Sequence, residues 1–227
     1  MMVAMNKPGR EIKNLLYEQV ARIGKAVSSP KRLELIEILC QGEKNVEELA
    51  AAAEISVKLA SAHLKELKAA RLVEARREGK NVAYRLVDSQ VADLWVMLRA
   101  LAEERLLELQ AAMRELVSRP EELYAVGGKQ LLAQAKRGEV LVLDVRPADE
   151  YETAHLPYAR SIPLAELKSR LDEVPTGKPV VAYCRGPFCL MAREAVDLLT
   201  RRGRQAVRME VGVAEWRSQG LPLATGE

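Results

Sequence analysis

Aromatic side chains are scarce in this chain of 227 residues, 4% with a single Phe. Three cysteines, unevenly placed, are too few for a secreted disulfide scaffold. No run approaches 18 apolar residues, so no membrane span is expected. The first twenty residues, MMVAMNKPGREIKNLLYEQV, turn charged before an apolar core of signal-peptide length can form. The expectation is a cytoplasmic protein in a reducing compartment. Excess charge is also lacking: the net of +3 does not by itself argue for nucleic acid. Neither an internal repeat nor a low-complexity tract is evident.

What is present falls into two halves with different patterns. Residues 10–118 carry apolar residues at helical spacing, with proline confined to Pro30 and, just before, Pro8. A break comes at Ser118-Arg119-Pro120. Beyond it, GEVLVLDV (138–145) and KPVVAYC (178–184) are short apolar runs between helical stretches and Pro/Gly punctuation. Such runs suit buried parallel strands of an α/β domain. The expected domains are therefore 1–118 and 119–227, the first mostly α and the second α/β with a central parallel sheet.

In the first half, Pro30 suits the first turn of a helix capped by Ser28 or Ser29, with Leu33, Ile36 and Leu39 on one face. Asn45 caps a short helix and Ser56 opens the next, on which Leu59, Leu64 and Leu67 are expected to face inward. The stretch LVEARREGKNVAYRLV then predicts a β-hairpin turning at Glu78-Gly79-Lys80-Asn81. Helix, short helix, helix and hairpin make a winged helix-turn-helix. Residues 56–87 hold eight Lys/Arg against three Glu, a local net of +5 beside +3 for the whole chain. That concentration is the footprint of a DNA-binding surface. Candidate contacts are Ser56, Lys58, Ser61, His63 and Lys65 on the helix and Arg76, Arg77 and Lys80 on the hairpin. A solvated charged face of a helix bundle is the plainer alternative.

This region resembles the ArsR family of bacterial winged-helix repressors, most specifically through ISVKLASAHLKELKAARLVEARREGKNVAYRL. The resemblance implies a homodimer on palindromic operator DNA. Pairing of the N-terminal helix (about 10–27) with a long helix from Ser89 to Val117 would bury their apolar surface. Many members sense metal through a Cys pair before the recognition helix or through His and carboxylates on the last helix. Here GEKNVEEL holds no Cys, and residues 89–118 hold neither His nor Cys. No metal site and no cofactor are expected. Cys40 reads as a small buried residue, with a redox-reactive thiol as the minority reading.

In the second half, KPVVAYC delivers Cys184 to the C-terminal end of a strand, where open α/β sheets bind ligands. Cys184 is open to four readings: a buried residue, a metal ligand, half of a disulfide, or a nucleophile. A tight loop, Arg185-Gly186-Pro187-Phe188-Cys189-Leu190, follows it and runs into an amphipathic helix. Curled backbone N–H groups, the helix dipole and Arg185 are expected to stabilise a thiolate there. Zinc is a poor alternative, since no second Cys or His pair follows.

Three segments in order then resemble the rhodanese sulfurtransferases. LDVRPADEYETAHLPYARSIP is similar to their first signature, YCRGPFCLMA to the strand–Cys–loop–helix element, and EVGVAEWRSQGLPL to the terminal signature through Gly212, Trp216, Gly220 and Pro222. The resemblance makes Cys184 the catalytic cysteine, which takes a sulfane sulfur from a donor and passes it to a thiol acceptor. Residues 185–190 form the rest of the anion cradle. Asp144, Arg146 and His155 match signature positions and are read as structural. Many single-domain members carry a cation where Cys189 stands, so thiosulfate turnover is in doubt, with Arg185 as a partial substitute. Cys189 has two readings of equal weight, a passive loop residue or a thiol that attacks a Cys184 persulfide. The composite expectation is a DNA-binding regulator that handles, and senses, reactive sulfur. The alternatives are a sulfurtransferase tethered by its winged helix, or a winged helix that serves only to dimerise.

Overall fold

The structure, a computed structural model, describes residues 8–79, 81–116, 123–124 and 126–226. The expected boundary at 118/119 and Lys80 lie outside the described residues. By contacts the chain divides into two compact units: residues 1–39 with 43–91, and residues 40–42 with 92–227.

The first unit opens with α1 (Pro8–Ala26) and α2 (Pro30–Leu39), the latter with Pro30 at its first position. A short strand β1 (Lys44–Asn45) leads into α3 (Val46–Ala52). Asn45 closes a capping box with Glu48: its Oδ1 accepts from Glu48 N at 2.9 Å, and its own N donates to Glu48 Oε2 at 2.7 Å. Helix α4 (Val57–Ala69) is capped by Ser56, whose Oγ accepts from Leu59 N at 3.2 Å. Strands β2 (Val73–Glu78) and β3 (Asn81–Leu86) pair antiparallel from Val73↔Leu86 to Glu78↔Asn81. Gly79 sits at φ +61°, as a tight hairpin turn demands. The three strands order β1-β3-β2. The core joins Ile36 and Leu39 of α2, Leu49 of α3, and Ala60, Leu64 and Leu67 of α4.

Leu59 departs from expectation: it is 43% exposed. The buried stripe of α4 runs 60, 64, 67, and Leu59 lies about 100° from that line. The long helix expected from Ser89 to Val117 is two helices, α5 (Ser89–Arg105) and α6 (Leu107–Leu116). At the break, Gln110 Nε2 donates to the carbonyls of Glu103 (2.9 Å) and Glu104 (3.3 Å). A side chain that takes ladder carbonyls interrupts the helix there.

The second unit continues with α7 (Gly128–Lys136), β4 (Leu141–Asp144), α8 (Ala148–Thr153), β5 (Ala159–Ser161), α9 (Leu164–Leu167), β6 (Val180–Tyr183), α10 (Met191–Arg201), β7 (Ala206–Arg208) and α11 (Val213–Ser218). The sheet is parallel throughout, in the order β5-β4-β6-β7. All four β6 residues are buried, which fits a central strand covered on both faces. Alternate residues serve opposite faces. Val181 and Tyr183 pack with Leu131 and Trp216, while Val180 and Cys184 pack with Ala192, Ala195 and Leu199 of α10.

One buried polar network ties the strand ends together. Arg146 and Asp144 are both fully buried and joined by Nη2–Oδ2 at 2.6 Å and Nε–Oδ1 at 3.0 Å. Arg146 also donates to the Ala154 carbonyl (2.8 Å) and to Gln41 Oε1 (2.9 Å). The Tyr183 hydroxyl donates to Asp144 Oδ2 at 2.5 Å and accepts from Leu156 N at 3.1 Å. Burial and the neighbouring Asp144 charge push the Tyr183 phenol well above its ordinary range, so it stays a donor. His155 is buried, with Nδ1 2.8 Å from the Tyr151 carbonyl and its ring stacked on Tyr151. The signature residues Asp144, Arg146 and His155 thus hold the frame. Arg146→Ala leaves Asp144 buried without its cation and is expected to cost about 3–5 kcal/mol. Hydrogen exchange of the β4 and β6 amides measures that loss; wild-type protection would refute it.

Candidate functional site

The candidate DNA surface is built on α4 and the wing. Lys58 and Lys65 are exposed, and Ser61 lies between them at half burial, so i, i+3 and i+7 share one side of the helix. His63 is half-buried on an adjoining line. Ser56 is exposed and already employed as the N-cap. Arg76 and Arg77 are exposed on β2, but Arg76 is paired with Glu43 at 2.6 Å. Arg85, also on the wing, is paired with Glu74 at 2.6 Å.

The candidate sulfur site lies where β6 ends. Cys184 is 3% exposed. Its Sγ accepts from the backbone N–H groups of Gly186 and Ala192, and its thiol points at the Cys189 carbonyl, 3.5 Å away. The Cys189 Sγ accepts from the N–H groups of Arg185 and Met191. Two of these four donors belong to the first two residues of α10, so the helix N-terminus does face the sulfurs. The two side chains hydrogen-bond to each other. The structure therefore brings together the ends of the loop.

Which sulfur carries the charge differs from expectation. Burial pushes the Cys184 thiol well above its usual range, and its hydrogen bond to Cys189 and that residue's charge add to the effect. Cys189 is the lowered thiol, at about 7, first because Cys184 donates to it and then through the backbone donors and Arg185, against its own burial. As pH rises through about 7 the pair comes to hold one proton between two sulfurs, with the charge on Cys189. Arg185 is no spare cation: its guanidinium clasps the buried Glu150, Nη2–Oε1 at 2.6 Å and Nε–Oε2 at 3.1 Å. Its charge still contributes to lowering Cys189.

The loop backbone is fitted closely to α11. A Cβ at Gly212 would stand 2.2 Å from the Arg185 carbonyl oxygen and 2.9 Å from that of Cys184. Gly186, at φ +156°, lies against Glu215, whose Oε1 would be 3.2 Å from a Cβ there. Glu215 is itself buried; it accepts from Gly212 N at 2.8 Å and from Arg99 Nη2 at 3.0 Å. Burial raises the Glu215 carboxyl, opposed by the Arg99 charge. Phe188 meets Trp95 edge to face, with ring centroids 6.1 Å apart. The sequence reading missed Glu150, Glu215, Arg99 and Trp95. Glu150 and Glu215 stood inside motifs whose other positions had been read, whereas α5 gave no sign that two of its residues border the loop. Among the described residues, no cluster of three or more His, Cys, Asp or Glu is arranged to hold a metal ion. No described helix is long and apolar enough to cross a membrane.

A winged helix-turn-helix followed by a parallel-sheet domain with a cysteine at its central strand end defines a DNA-binding regulator carrying a rhodanese-like domain. The family models agree: the bacterial regulatory protein arsR family matches residues 29–75, and the rhodanese-like domain matches residues 128–219. The HTH-type transcriptional regulator Rv0324 of Mycobacterium tuberculosis is 42% identical over 214 residues, 94% of each chain. The chain belongs to the arsR family of bacterial regulatory proteins, in the form that carries a rhodanese-like domain. A sulfurtransferase of Allochromatium vinosum is 28% identical over 39% of this chain and 82% of its own. The solution structure of a homodimeric winged helix-turn-helix DNA-binding domain from Mycobacterium bovis is 39% identical, covering 48% of this chain and 95% of its own, with a TM-score of 0.40.

Alkylation by iodoacetamide tests the charge assignment. The fast thiol is expected to be Cys189, its rate rising with pH through a midpoint near 7. Cys184→Ala removes the largest cause of the lowering, so the midpoint should move up. A midpoint unmoved by that change, or a fast thiol that peptide mapping assigns to Cys184, would contradict it.

Proposed function

We propose that this regulator senses reactive sulfur, and that Cys184 and Cys189 are the sensing pair. The observation that carries the reading is that Cys184, just past the end of β6, directs its thiol at the Cys189 carbonyl 3.5 Å away, so the two cysteines meet across the loop at the start of α10. When the pair carries a charge, Cys184 is the thiol and Cys189 the thiolate. Cys184 attacks the terminal sulfur of a persulfide donor R–S–SH while its proton passes to Cys189. The S–S bond of the donor breaks, RS⁻ leaves, and Cys184 becomes Cys184–S–SH. The four amides favour anionic sulfur at this place.

Two fates then follow. A thiolate acceptor takes the terminal sulfur and restores Cys184, which is sulfurtransferase chemistry. Alternatively Cys189, having lost its proton to water, attacks Cys184 Sγ; HS⁻ leaves and a Cys184–Cys189 disulfide remains. The sulfane sulfur is reduced and the two thiols are oxidised, so no further oxidant is needed. Cys184 and Cys189 face each other across one short loop, which favours the second fate. It makes the domain a switch more readily than a turnover enzyme.

DNA contact is assigned to Lys58, Ser61, His63 and Lys65 of α4, with the cap residue Ser56, and to Arg76, Arg77 and Lys80 of the wing. Operator binding as a homodimer is supported by two apolar surfaces without internal cover. In the first unit α1 exposes Leu16, Tyr17 and Val20, Tyr17 at 68%. In the second, α5 exposes Met97 at 70% and Leu101. Surfaces of this kind mark protein interfaces.

The test is binding of an operator fragment, selected by the purified protein from random DNA. Reduced and polysulfide-treated protein are compared, for wild type and Cys184→Ser, with sulfur counted by mass spectrometry. Treatment is expected to change the wild-type affinity at least ~5-fold, the lower end of ordinary coupling between sites, and to leave Cys184→Ser unchanged. Sulfur uptake on Cys184 with constant affinity would reject sensing and leave an independent sulfurtransferase on a DNA-binding protein.

A further inference from the structure

Two side chains one turn apart on α5 reach the loop that bears the sulfurs. Trp95, 6% exposed, presents its ring edge to face with Phe188 at 74° between planes. Arg99, also 6% exposed, lies with Cζ 5.7 Å from the centroid of the same Phe188 ring. Its Nη2 donates to Glu215 Oε1 at 3.0 Å, and its Nη1 to Glu103 Oε1 at 2.5 Å. Its Nε is buried with no hydrogen-bond partner. An orphaned buried donor costs free energy. The guanidinium is thus held by Phe188 and two carboxylates at the expense of its own satisfaction. Glu215 in turn touches Gly186 and caps the N-terminus of α11 through Gly212 N. Trp95, Arg99, Phe188 and Glu215 all belong to the second unit. Helix α5 itself begins in the first, at Ser89.

We propose that Trp95 and Arg99 are positioning residues of the sulfur loop, and that α5 is the element through which the sulfur state of Cys184 and Cys189 is read. This deepens the sensing role proposed above and rests on it. Phe188 is bonded directly to Cys189. A disulfide requires the two sulfurs at about 2.05 Å, well inside hydrogen-bond distance. Drawing Cys189 inward moves the Phe188 backbone with it. The Phe188 ring cannot follow without leaving either the Trp95 edge or the Arg99 guanidinium. Buried, close-packed contacts of this sort switch between arrangements and do not stretch. By linkage, whatever α5 loses when the disulfide forms, the disulfide loses when α5 is held in its starting position.

The chain holds two tryptophans, Trp95 and Trp216, so emission can be assigned by difference. The full-length protein is titrated with inorganic polysulfide, and tryptophan emission is read alongside mass spectrometry. The wild-type spectrum is expected to change in step with disulfide formation. In Trp95→Phe the change should vanish while the disulfide still forms. Phe188→Leu, which keeps an apolar side chain but no ring, should likewise form the disulfide silently. Arg99→Lys keeps a cation for Glu215 without the planar fork, and its emission change should be about 2-fold smaller or less. Reduction with dithiothreitol should restore each spectrum.

The outcomes separate the two readings. Disulfide formation in wild type with constant Trp95 emission overturns the role of α5 and leaves sensing intact. A change that persists in Trp95→Phe does the same, because the signal is then from Trp216. Absence of sulfur uptake and of disulfide in wild type overturns the sensing pair itself. If Trp95→Phe loses its circular dichroism, Phe188→Leu against wild type decides the question. Circular dichroism and thermal unfolding establish that each variant used is folded.

Discussion

A single carboxylate organises the frame of the second unit. Asp144 lies at the end of β4 with no exposure, and its oxygens receive the Arg146 guanidinium, the Arg146 backbone N–H and the Tyr183 hydroxyl. Tyr183 is the residue before Cys184. The position of the cysteine at the strand end is therefore set by a hydrogen bond made on the opposite face of the sheet. Arg146 extends the same network to Ala154 and Gln41. Such a pair persists in a dry interior because both charges are met by further hydrogen bonds.

Above that frame, burial and hydrogen bonding together divide the charge between the two sulfurs. A helix N-terminus and a nest of amides lower a thiol, and desolvation raises it. Both act on the two cysteines here, and they divide them. Cys184 is the more enclosed and keeps the proton; Cys189 sits at the loop's far end beside Arg185 N and Met191 N and takes the negative charge. Arg185, held by Glu150, adds its charge on the side of Cys189.

Much of this was legible in the chain. The Pro30 start, the Asn45 and Ser56 caps, the Gly79 turn and the β4 and β6 runs each carry a local physical signature, and each element is where that signature puts it. The loop of Arg185, Gly186, Pro187, Phe188, Cys189 and Leu190 was legible as a tight connection because strand, turn and helix follow one another without a gap. What was not legible depended on distant partners. Leu59 looked inward by periodicity until the buried stripe settled on Ala60, Leu64 and Leu67. The break at Leu106 comes from Gln110 reaching back to two carbonyls, which no propensity encodes. The division of charge between the cysteines required knowing how deeply each is enclosed. Arg99 looked like one more charge on an amphipathic helix, and only its partner Glu215 shows otherwise.

Gly212 offers a different kind of lesson. Its missing side chain is what allows the Arg185 and Cys184 carbonyls to lie flat against the start of α11. The residue has no side chain to carry a charge or a reactive atom, yet the cysteine loop packs against it. Inheritance of the sulfur chemistry thus runs partly through an empty place: a lineage can keep both cysteines letter for letter and still lose the loop by gaining one methyl group elsewhere in the gene.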